Sequence, residues 1–349
     1  MLDIYVGETA KKEIEQNGFH QHMFDMFLGA SGGPKWFTLL GLDQYVFGDF
    51  FKYREQPLNL LGSSAGAFRS ACFTQKDPVK AINELAQRYS ESNFDRTVTA
   101  QQLTDMAENM MHHIFCDEGI DQIMSNPIFK AHFIVAKANG LVKYENKFLQ
   151  GMGLGKSIAL NRLDRKHLRS QYERYVFGPQ DSTLKLNDSY NIPTKYQKFT
   201  KESVKPALLA SGSIPFVMAG IKNIPGAEKG MYRDGGIIDY HFDLEFNQTG
   251  LTLYPHFNKA PKAGWFDKSL ARLPKRNSYD KIVMLVPSDE FIAKLPYGKI
   301  PDRKDFETID YTARLKYWRT VFSESQRLAE KLDKVVKQQD FSEFKSISF

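Results

Sequence analysis

The segment LNLLGSSAGAFRSACF, residues 58–73, decides the fold, because it joins a short apolar run, a turn of small residues and a helical pattern. Residues 58–61 are apolar apart from one asparagine and predict a buried strand. Residues 65–73 predict a helix that begins directly after the turn. The segment therefore predicts a strand, a tight turn and a helix in immediate succession.

A second unit of the same kind precedes it. FDMFL (24–28) predicts a buried strand, and PKWFTLLGLDQYVFGDF (34–50) predicts a helix with Pro34 in its first turn. Two such units in succession predict a mostly parallel sheet with helices on its faces, which is the α/β class. Further strands are predicted at 131–138, 173–178, 251–255 and 281–287, a short strand before Asp234, and helices at 77–92, 100–115, 201–212 and 307–339, whereas 139–172 stays unassigned.

The length of 349 residues leaves room for one large domain, and no repeat or Gly/Ser linker divides the chain. We expect a main domain over residues 1–290 and a helical extension over 291–349 that packs on it. The sequence gives no indication of the oligomeric state.

The basic residues are concentrated in the C-terminal part of the chain. The formal net charge is +6, and residues 259–349 hold 19 Lys and Arg against 13 Asp and Glu. In KAPKAGWFDKSLARLPKR (259–276), basic residues alternate with Trp265, Phe266 and two leucines. This mixture suits peripheral contact with an anionic membrane surface, and the alternative is a solvated loop with a few packed aromatics.

Neither a membrane span nor a secretory signal is indicated. No apolar run approaches the ~18 residues that cross a bilayer, and the start MLDIYVGETAKK lacks the basic-then-apolar layout of a signal peptide. We therefore expect a cytoplasmic protein, peripheral at most to a membrane.

Two turns share the frame glycine, any residue, serine, any residue, glycine, in which hydrolases place a nucleophilic serine. In GSSAG (62–66), Ser64 stands at the apex, and the helix that follows directs a backbone N–H at a reacting carbonyl. In GASGG (29–33), Gly32 and Gly33 are consecutive, which suits backbone binding of a negative oxygen. A nucleotide P-loop is excluded, because Lys35 stands between Pro34 and Trp36 instead of Gly and Ser/Thr.

A serine nucleophile needs a base, and YRDGG (232–236) offers Asp234 at a strand end. A carboxylate held within hydrogen-bond reach and partly desolvated can take the serine proton directly. A Ser-Asp-His triad that uses His241 or His256 is the alternative.

Three motifs in order resemble the patatin-like phospholipase family: SGGPK (31–35), GSSAG (62–66) and DGG (234–236). The stretch ALLASGSIPFVMAGI (207–221) is also similar to the family's small-residue segment, so the resemblance covers residues 24–240. It implies a three-layer α/β/α sandwich that hydrolyses fatty-acyl esters of phospholipids or lysophospholipids without a cofactor or metal.

Carried over to this sequence, the resemblance implies that Ser64 is the nucleophile and Asp234 the base. Gly32 and Gly33 would form the oxyanion hole, and we expect Lys35 to contact the lipid substrate. Ser31 and Trp36 stand where the family usually has glycine. This departure supports the alternative of a catalytically weakened or inactive lipid-binding protein on the same fold.

Two other site classes have little support. Adjacent histidines on a helix point apart, so His112, His113 and Cys116 make a poor zinc site without a fourth ligand. No nucleic-acid-binding module accompanies the C-terminal basic residues, so we expect no nucleic-acid partner.

Overall fold

The computed structural model describes residues 1–94 and 97–349 and contains a central sheet of eleven strands. The strand bounds are β1 Leu2–Val6, β2 Phe24–Gly29, β3 Leu58–Ser63, β4 Phe129–Ala138, β5 Tyr172–Gly178, β6 Leu186–Asn187, β7 Thr194–Lys198, β8 Ile221–Lys222, β9 Met231–Asp234, β10 Glu245–Phe246, β11 Leu251–Pro255, β12 Ile282–Pro287 and β13 Lys345–Ser346.

Helices of very different length flank the sheet. Their bounds are α1 Glu8–Asn17, α2 Leu40–Tyr45, α3 Ala65–Phe73, α4 Pro78–Glu91, α5 Ala100–Ile114, α6 Asp117–Ser125, α7 Lys147–Leu163, α8 Lys201–Ser211, α9 Arg276–Tyr279, α10 Asp289–Lys294, α11 Asp305–Thr308 and α12 Tyr311–Gln338. The predicted helix over 34–50 is a continuous helical segment of changing winding, with 3-10 turns over 33–39, α2, and π turns over 46–50.

The sheet order is β13-β1-β12-β11-β2-β3-β4-β5-β7, and β9 and β8 continue from β4. The strands β12, β11, β2, β3 and β4 are mutually parallel, as the two strand-turn-helix units predict. The mostly parallel α/β/α sandwich expected from the sequence is therefore confirmed.

The sequence predicts the strands β5 and β9 but not their antiparallel direction. Strand β1 pairs with β12 in the antiparallel direction, and both β5 and β9 run antiparallel to β4. Strand β1 was not predicted, and the unassigned stretch 139–172 contains the 17-residue helix α7. Three glycines interrupt the apolar residues of this helix, Gly151, Gly153 and Gly155. Because glycine is a poor helix former, the sequence does not indicate a helix here.

Strand β4 brings two distant parts of the chain together. Its first half pairs with β3, whose last residue Ser63 lies opposite Ile134. Its second half pairs with β9, whose last residue Asp234 lies opposite Val135. Because β3 runs parallel and β9 antiparallel to β4, the C-terminal ends of β3 and β9 meet beside two neighbouring residues of β4.

The C-terminal segment packs on the N-terminal half of the chain. Helix α12 lies against α2 and the 3-10 turns before it, and β13 pairs with β1. Trp318 of α12 is fully buried and packs edge-on against Phe37, with ring centroids 5.2 Å apart. The division of the chain at residue 290 stays a prediction.

Candidate active site

The turn from β3 into α3 places Ser64 in a strained backbone conformation. Its φ is 54° and its ψ is −126°, a combination that residues other than glycine rarely adopt. The turn is tight because Gly66 lies on Gly29, where an added Cβ would stand 1.8 Å from the Gly29 carbonyl oxygen. The strain holds the hydroxyl of Ser64 above the end of the strand instead of beside it.

Asp234 ends β9 and faces Ser64 directly. The hydroxyl of Ser64 donates a 2.7 Å hydrogen bond to Oδ2 of Asp234. The other carboxylate oxygen, Oδ1, accepts the backbone N–H of Gly236 at 2.6 Å. One carboxylate oxygen is thus held by the backbone of the DGG motif, and the other is free to receive the serine proton.

The environment of Asp234 makes it a stronger base than an ordinary aspartate. The carboxylate is buried, and burial raises its pKa from 3.8 to about 6. The hydrogen bonds from Ser64 and Gly236 and the charges of Arg303 and Lys268 lower the pKa, but burial has the largest effect. Asp234 is therefore ionised at neutral pH and still has appreciable affinity for a proton.

The small-residue stretch at the end of α8 binds the backbone of both Ser64 and Asp234, and sequence reasoning missed this role. Ser211 accepts the backbone N–H of Ser64 at 3.0 Å and donates to the Ile134 carbonyl at 2.7 Å. The Ser213 carbonyl accepts the backbone N–H of Asp234 at 3.0 Å. The repeated small residues of ALLASGS were the available signal, but their contacts depend on the tertiary structure.

The glycine-rich turn after β2 lies beside the elbow. Ser31 is buried, and its hydroxyl lies 2.9 Å from the Ser63 hydroxyl, so it ties the two strand ends together. Gly33 has a φ of 55°, in the left-handed region that favours glycine. Trp36 is buried, and Lys35 forms a salt bridge with Asp302. Neither Ser31 nor Trp36 therefore disrupts the turn that they enter.

The two histidines of the alternative triad are buried, and their hydrogen bonds join backbone groups. The backbone N–H of Lys262 donates to Nδ1 of His241, and Nδ1 of His256 lies 2.6 Å from the Asn258 carbonyl. Burial lowers the pKa of His256 to about 3 and that of His241 well below its usual value. Within residues 1–94 and 97–349, the only carboxylate hydrogen-bonded to Ser64 is Asp234.

Two cavities meet at Ser64. The larger one has a volume of about 1010 Å³ and is mainly apolar, with walls from α3, α4, α5 and the segment after α8. The smaller one, of about 120 Å³, is polar and contains Asp234 and the glycine turn. Gly33 lines the large cavity and Gly32 the small one. Ser64 therefore lies where an apolar and a polar cavity join.

A comparison with protein-family models now identifies the chain. The model described as patatin-like phospholipase matches residues 30–241, which is more than half of the sequence. The chain belongs to the patatin-like phospholipase family. The match contains the glycine turn, Ser64 and Asp234, and the family's lipid hydrolase activity makes lipid the expected class of substrate. No curated protein matches the chain.

The structure of this patatin-like protein also bears on a metal site and on a membrane-spanning helix. Among the residues that the structure describes, no three His, Cys, Asp or Glu side chains form a group that could hold a metal ion. The rings of His112 and His113 lie 6.3 Å apart, and Cys116 is exposed. Over the same residues, no helix is both long and apolar enough to cross a bilayer.

Most cations of the segment 259–276 contact protein groups. Lys259 pairs with Asp289, Arg272 with Asp267 and Arg276 with Glu8. The ammonium group of Lys262 donates to two backbone carbonyls. Phe266 is buried, so the patatin-like domain uses part of this segment for packing.

Proposed function

We propose that the protein is a serine lipid acyl hydrolase that uses Ser64 as nucleophile and Asp234 as general base. The observation that carries the proposal is the 2.7 Å hydrogen bond between the Ser64 hydroxyl and Asp234 at the junction of an apolar and a polar cavity. The strained turn at Ser64 and the family membership support it.

The reaction starts when Asp234 takes the proton of the Ser64 hydroxyl. The serine oxygen forms a bond to the acyl carbon, and the carbonyl electron pair moves to the oxygen, which becomes an oxyanion. When the oxyanion collapses, the bond to the leaving alcohol breaks, and Asp234 returns its proton to that alcohol. Water then attacks the acyl-enzyme, with Asp234 again as the base, and releases the fatty acid and free Ser64.

Backbone N–H groups of Gly32 and Gly33 are the proposed oxyanion hole. Both glycines lie on the cavity walls that meet at Ser64, and the left-handed φ of Gly33 keeps its backbone clear of a side chain. Fixed donors at the developing negative charge contribute roughly 100- to 1000-fold to the rate per donor. Lys35, which we expected to contact substrate, borders the small cavity and pairs with Asp302.

The proposed substrates are fatty-acyl esters of phospholipids or lysophospholipids. The large cavity is at the upper end of the ~300–1,000 Å³ typical of ligand pockets and is lined largely by apolar side chains. These properties suit a long acyl chain. None of the proposed steps uses a metal or a cofactor.

Peripheral contact with a membrane is part of the proposal. The segment 259–276 remains a candidate, because Lys259, Lys275 and Arg276 are exposed. Exposed apolar side chains near the mouth of the large cavity support a second contact surface: Phe148, Met152 and Phe216. Phe216 lines the cavity. Its ring lies 3.6 Å from the place that a Cβ atom on Gly151 would occupy, and Gly151 stands between Phe148 and Met152 on α7. A cytoplasmic location stays a prediction.

The test is hydrolysis of a fatty-acyl p-nitrophenyl ester by the wild type and by Ser64→Ala. We expect loss of turnover and an unchanged thermal unfolding curve in Ser64→Ala. The exposed hydroxyl of Ser125 offers a matched control, because Ser125→Ala removes a serine on α6 that lines neither cavity. Full activity of Ser64→Ala would refute the assignment.

A fluorophosphonate probe separates the hydrolase from the alternative of an inactive lipid-binding protein. The probe forms a covalent bond only with an activated serine, so peptide mass spectrometry of the labelled protein would find it on Ser64. An unlabelled Ser64, together with measurable binding of lipid, would favour the inactive protein.

A further inference from the structure

The small cavity beside Ser64 is lined by charged side chains of both signs, and its two carboxylates are Asp234 and Asp302. Its lining includes three cations that come from separate parts of the chain: Lys35, Lys268 and Arg303. Two of them, Lys268 and Arg303, lie outside residues 30–241, the range that matches the family model. The family membership therefore says nothing about them, and their position is a property of this chain.

Lys268 and Arg303 differ from Lys35, which has an acidic partner. Lys35 is paired with Asp302, but within residues 1–94 and 97–349 neither Lys268 nor Arg303 forms a salt bridge. The ammonium group of Lys268 lies 3.8 Å from the centre of the Tyr240 ring, which holds it at the cavity. Arg303 lines both cavities, and its Nη2 atom lies 3.4 Å from the Cβ position of Gly33.

The charges of this cluster act on one another and on the dyad. Burial and the charges of Arg303 and Lys35 lower the pKa of Lys268 to about 8. Both Arg303 and Lys268 lower the pKa of Asp234. Asp234 acts in the opposite direction and raises the pKa of Lys268. A bound anion would relieve the repulsion that remains between the two cations in this partly desolvated cavity.

We propose that Lys268 and Arg303 bind a negatively charged group of the substrate, a phosphate or a carboxylate, next to the ester that Ser64 attacks. The inference rests on the proposed hydrolase function. The large cavity takes the acyl chain, and Arg303 stands where the two cavities meet. The preferred substrates are thus fatty-acyl esters with an anionic group on the alcohol side of the scissile bond.

The size of the small cavity is consistent with such a group. Its volume of about 120 Å³ is well below the ~300 Å³ at the lower end of ordinary ligand pockets. It suits one charged group and the few atoms that connect it to the ester. A guanidinium offers two parallel N–H donors to a phosphate or carboxylate, so Arg303 is suited to both.

The experiment compares kcat/KM for three decanoyl esters below their critical micelle concentrations, so that the charge of an aggregate has no effect. These are decanoyl lysophosphatidic acid, monodecanoylglycerol and decanoyl lactate, which carry a phosphate, no charge and a carboxylate. We expect the wild type to prefer one or both anionic esters. The anionic ester with the higher kcat/KM identifies the anion that the site prefers.

Arg303→Gln and Lys268→Gln should each lower the anionic-to-neutral ratio of kcat/KM by roughly 10- to 100-fold, the effect of a hydrogen bond to a charged group. Arg319→Gln removes an exposed cation of α12 and should leave the ratio unchanged. An unchanged ratio in both cavity variants would overturn the proposal. An equal loss on all three esters would also overturn it, because it would assign Arg303 and Lys268 to the reacting carbonyl.

Calorimetric binding of decanoyl lysophosphatidic acid to Ser64→Ala separates this inference from the proposed function. Binding that weakens when Arg303→Gln is added would support the anion site even if the wild type hydrolysed none of the esters. Turnover by the wild type without a preference for charge would contradict the anion site and leave the hydrolase in place.

Discussion

At the scale of single residues, the proposed roles of Ser64 and Asp234 depend on their surroundings. Ser64 is an ordinary hydroxyl whose backbone strain, of the order of 1–3 kcal/mol, is maintained by the packing of Gly66 on Gly29. Asp234 is an ordinary carboxylate whose burial makes it more basic. Both effects store free energy at the site, and the remainder of the fold supplies it.

The raised pKa of Asp234 predicts the pH dependence of the reaction. The base must be ionised, so kcat/KM should fall as the pH drops below about 6 and level off above it. Arg303→Gln removes a charge that lowers this pKa, so the midpoint of the acidic limb should move to higher pH. A pH profile with a neutral ester measures both midpoints. A midpoint near 4 in the wild type would contradict the role of Asp234.

The same shift predicts a change in stability. The folded pKa is higher than the unfolded one, so the native state holds the proton more tightly, and the resulting stabilisation is present at low pH and lost as the pH rises from about 4 to 6. Asp234→Asn should therefore be more stable than the wild type at pH 8, by up to about 3 kcal/mol. The difference should shrink at pH 4, as urea unfolding at both pH values would measure.

At the scale of single elements, α5 forms a wall of the large cavity. Its lining residues recur at helical spacing along one face: Ala100, Leu103, Met106, Ala107 and Met110. This pattern of apolar residues is the signal of an amphipathic helix, but here the apolar face borders a cavity instead of a filled core. The sequence pattern is the same for both, and only the neighbouring elements distinguish them.

Filling the cavity from α5 should change the preferred chain length. Ala107→Trp would occupy part of the space that we propose for the acyl chain. Each methylene group kept out costs about 0.8 kcal/mol, roughly fourfold in kcat/KM. Turnover of a hexadecanoyl p-nitrophenyl ester should fall much more than that of the butanoyl ester. Glu108→Trp places the same ring on the outer face of α5 and serves as the control. Equal losses on both esters would argue against an acyl-chain cavity.

Helix α7 allows the proposed contact with a lipid surface to be tested. Phe148 and Met152 are 74% and 51% exposed. On the same helix, Lys147 lines the large cavity and Lys156 adds a second cation. Phe148→Ser combined with Met152→Ser should weaken binding to vesicles that contain anionic lipid by roughly 10-fold or more. Co-sedimentation measures the binding.

The control for α7 is Tyr53→Ser. Tyr53 is equally exposed but stands just before β3, at the opposite end of that strand from Ser64. If this variant weakened vesicle binding as much as the double variant of α7, the contact surface would have to lie elsewhere.

At the scale of the whole molecule, the C-terminal segment helps to build the site. Arg303 and Phe306 line the large cavity, and Phe306 packs edge-on against the buried Trp318 of α12. Trp318 also donates a hydrogen bond to Asp305. The residues beyond the family match thus connect the core helix α12 to the cavity wall.

Trp318→Ala tests this connection. Loss of the buried ring should lower the free energy of unfolding by about 3–5 kcal/mol. It should also raise KM, because Phe306 and Arg303 lose the surface on which their segment packs. Arg319→Ala, one residue further along the same helix but exposed, should change stability by less than about 0.5 kcal/mol. A loss of stability without any change in KM would limit the role of α12 to folding.

The sequence by itself determined the local units of this protein. Strand, turn and helix around Ser64, and the glycine pair at Gly32 and Gly33, depend on neighbours within a few residues, so their patterns are readable along the chain. For the same reason Asp234 could be singled out as a candidate base from its position before two glycines.

Only the tertiary structure decided how those units meet. The antiparallel pairing of β9 with β4 places Asp234 beside Ser64, although the two residues are 170 positions apart in the sequence. No local sequence pattern encodes such a pairing. Contacts between distant segments also decide other features of the structure. They include the antiparallel pairing of β1, the position of α7, the hydrogen bond from Ser64 to Ser211, and the position of Lys268 and Arg303 at the small cavity. Sequence patterns report local conformation and burial, whereas the site arises from long-range packing.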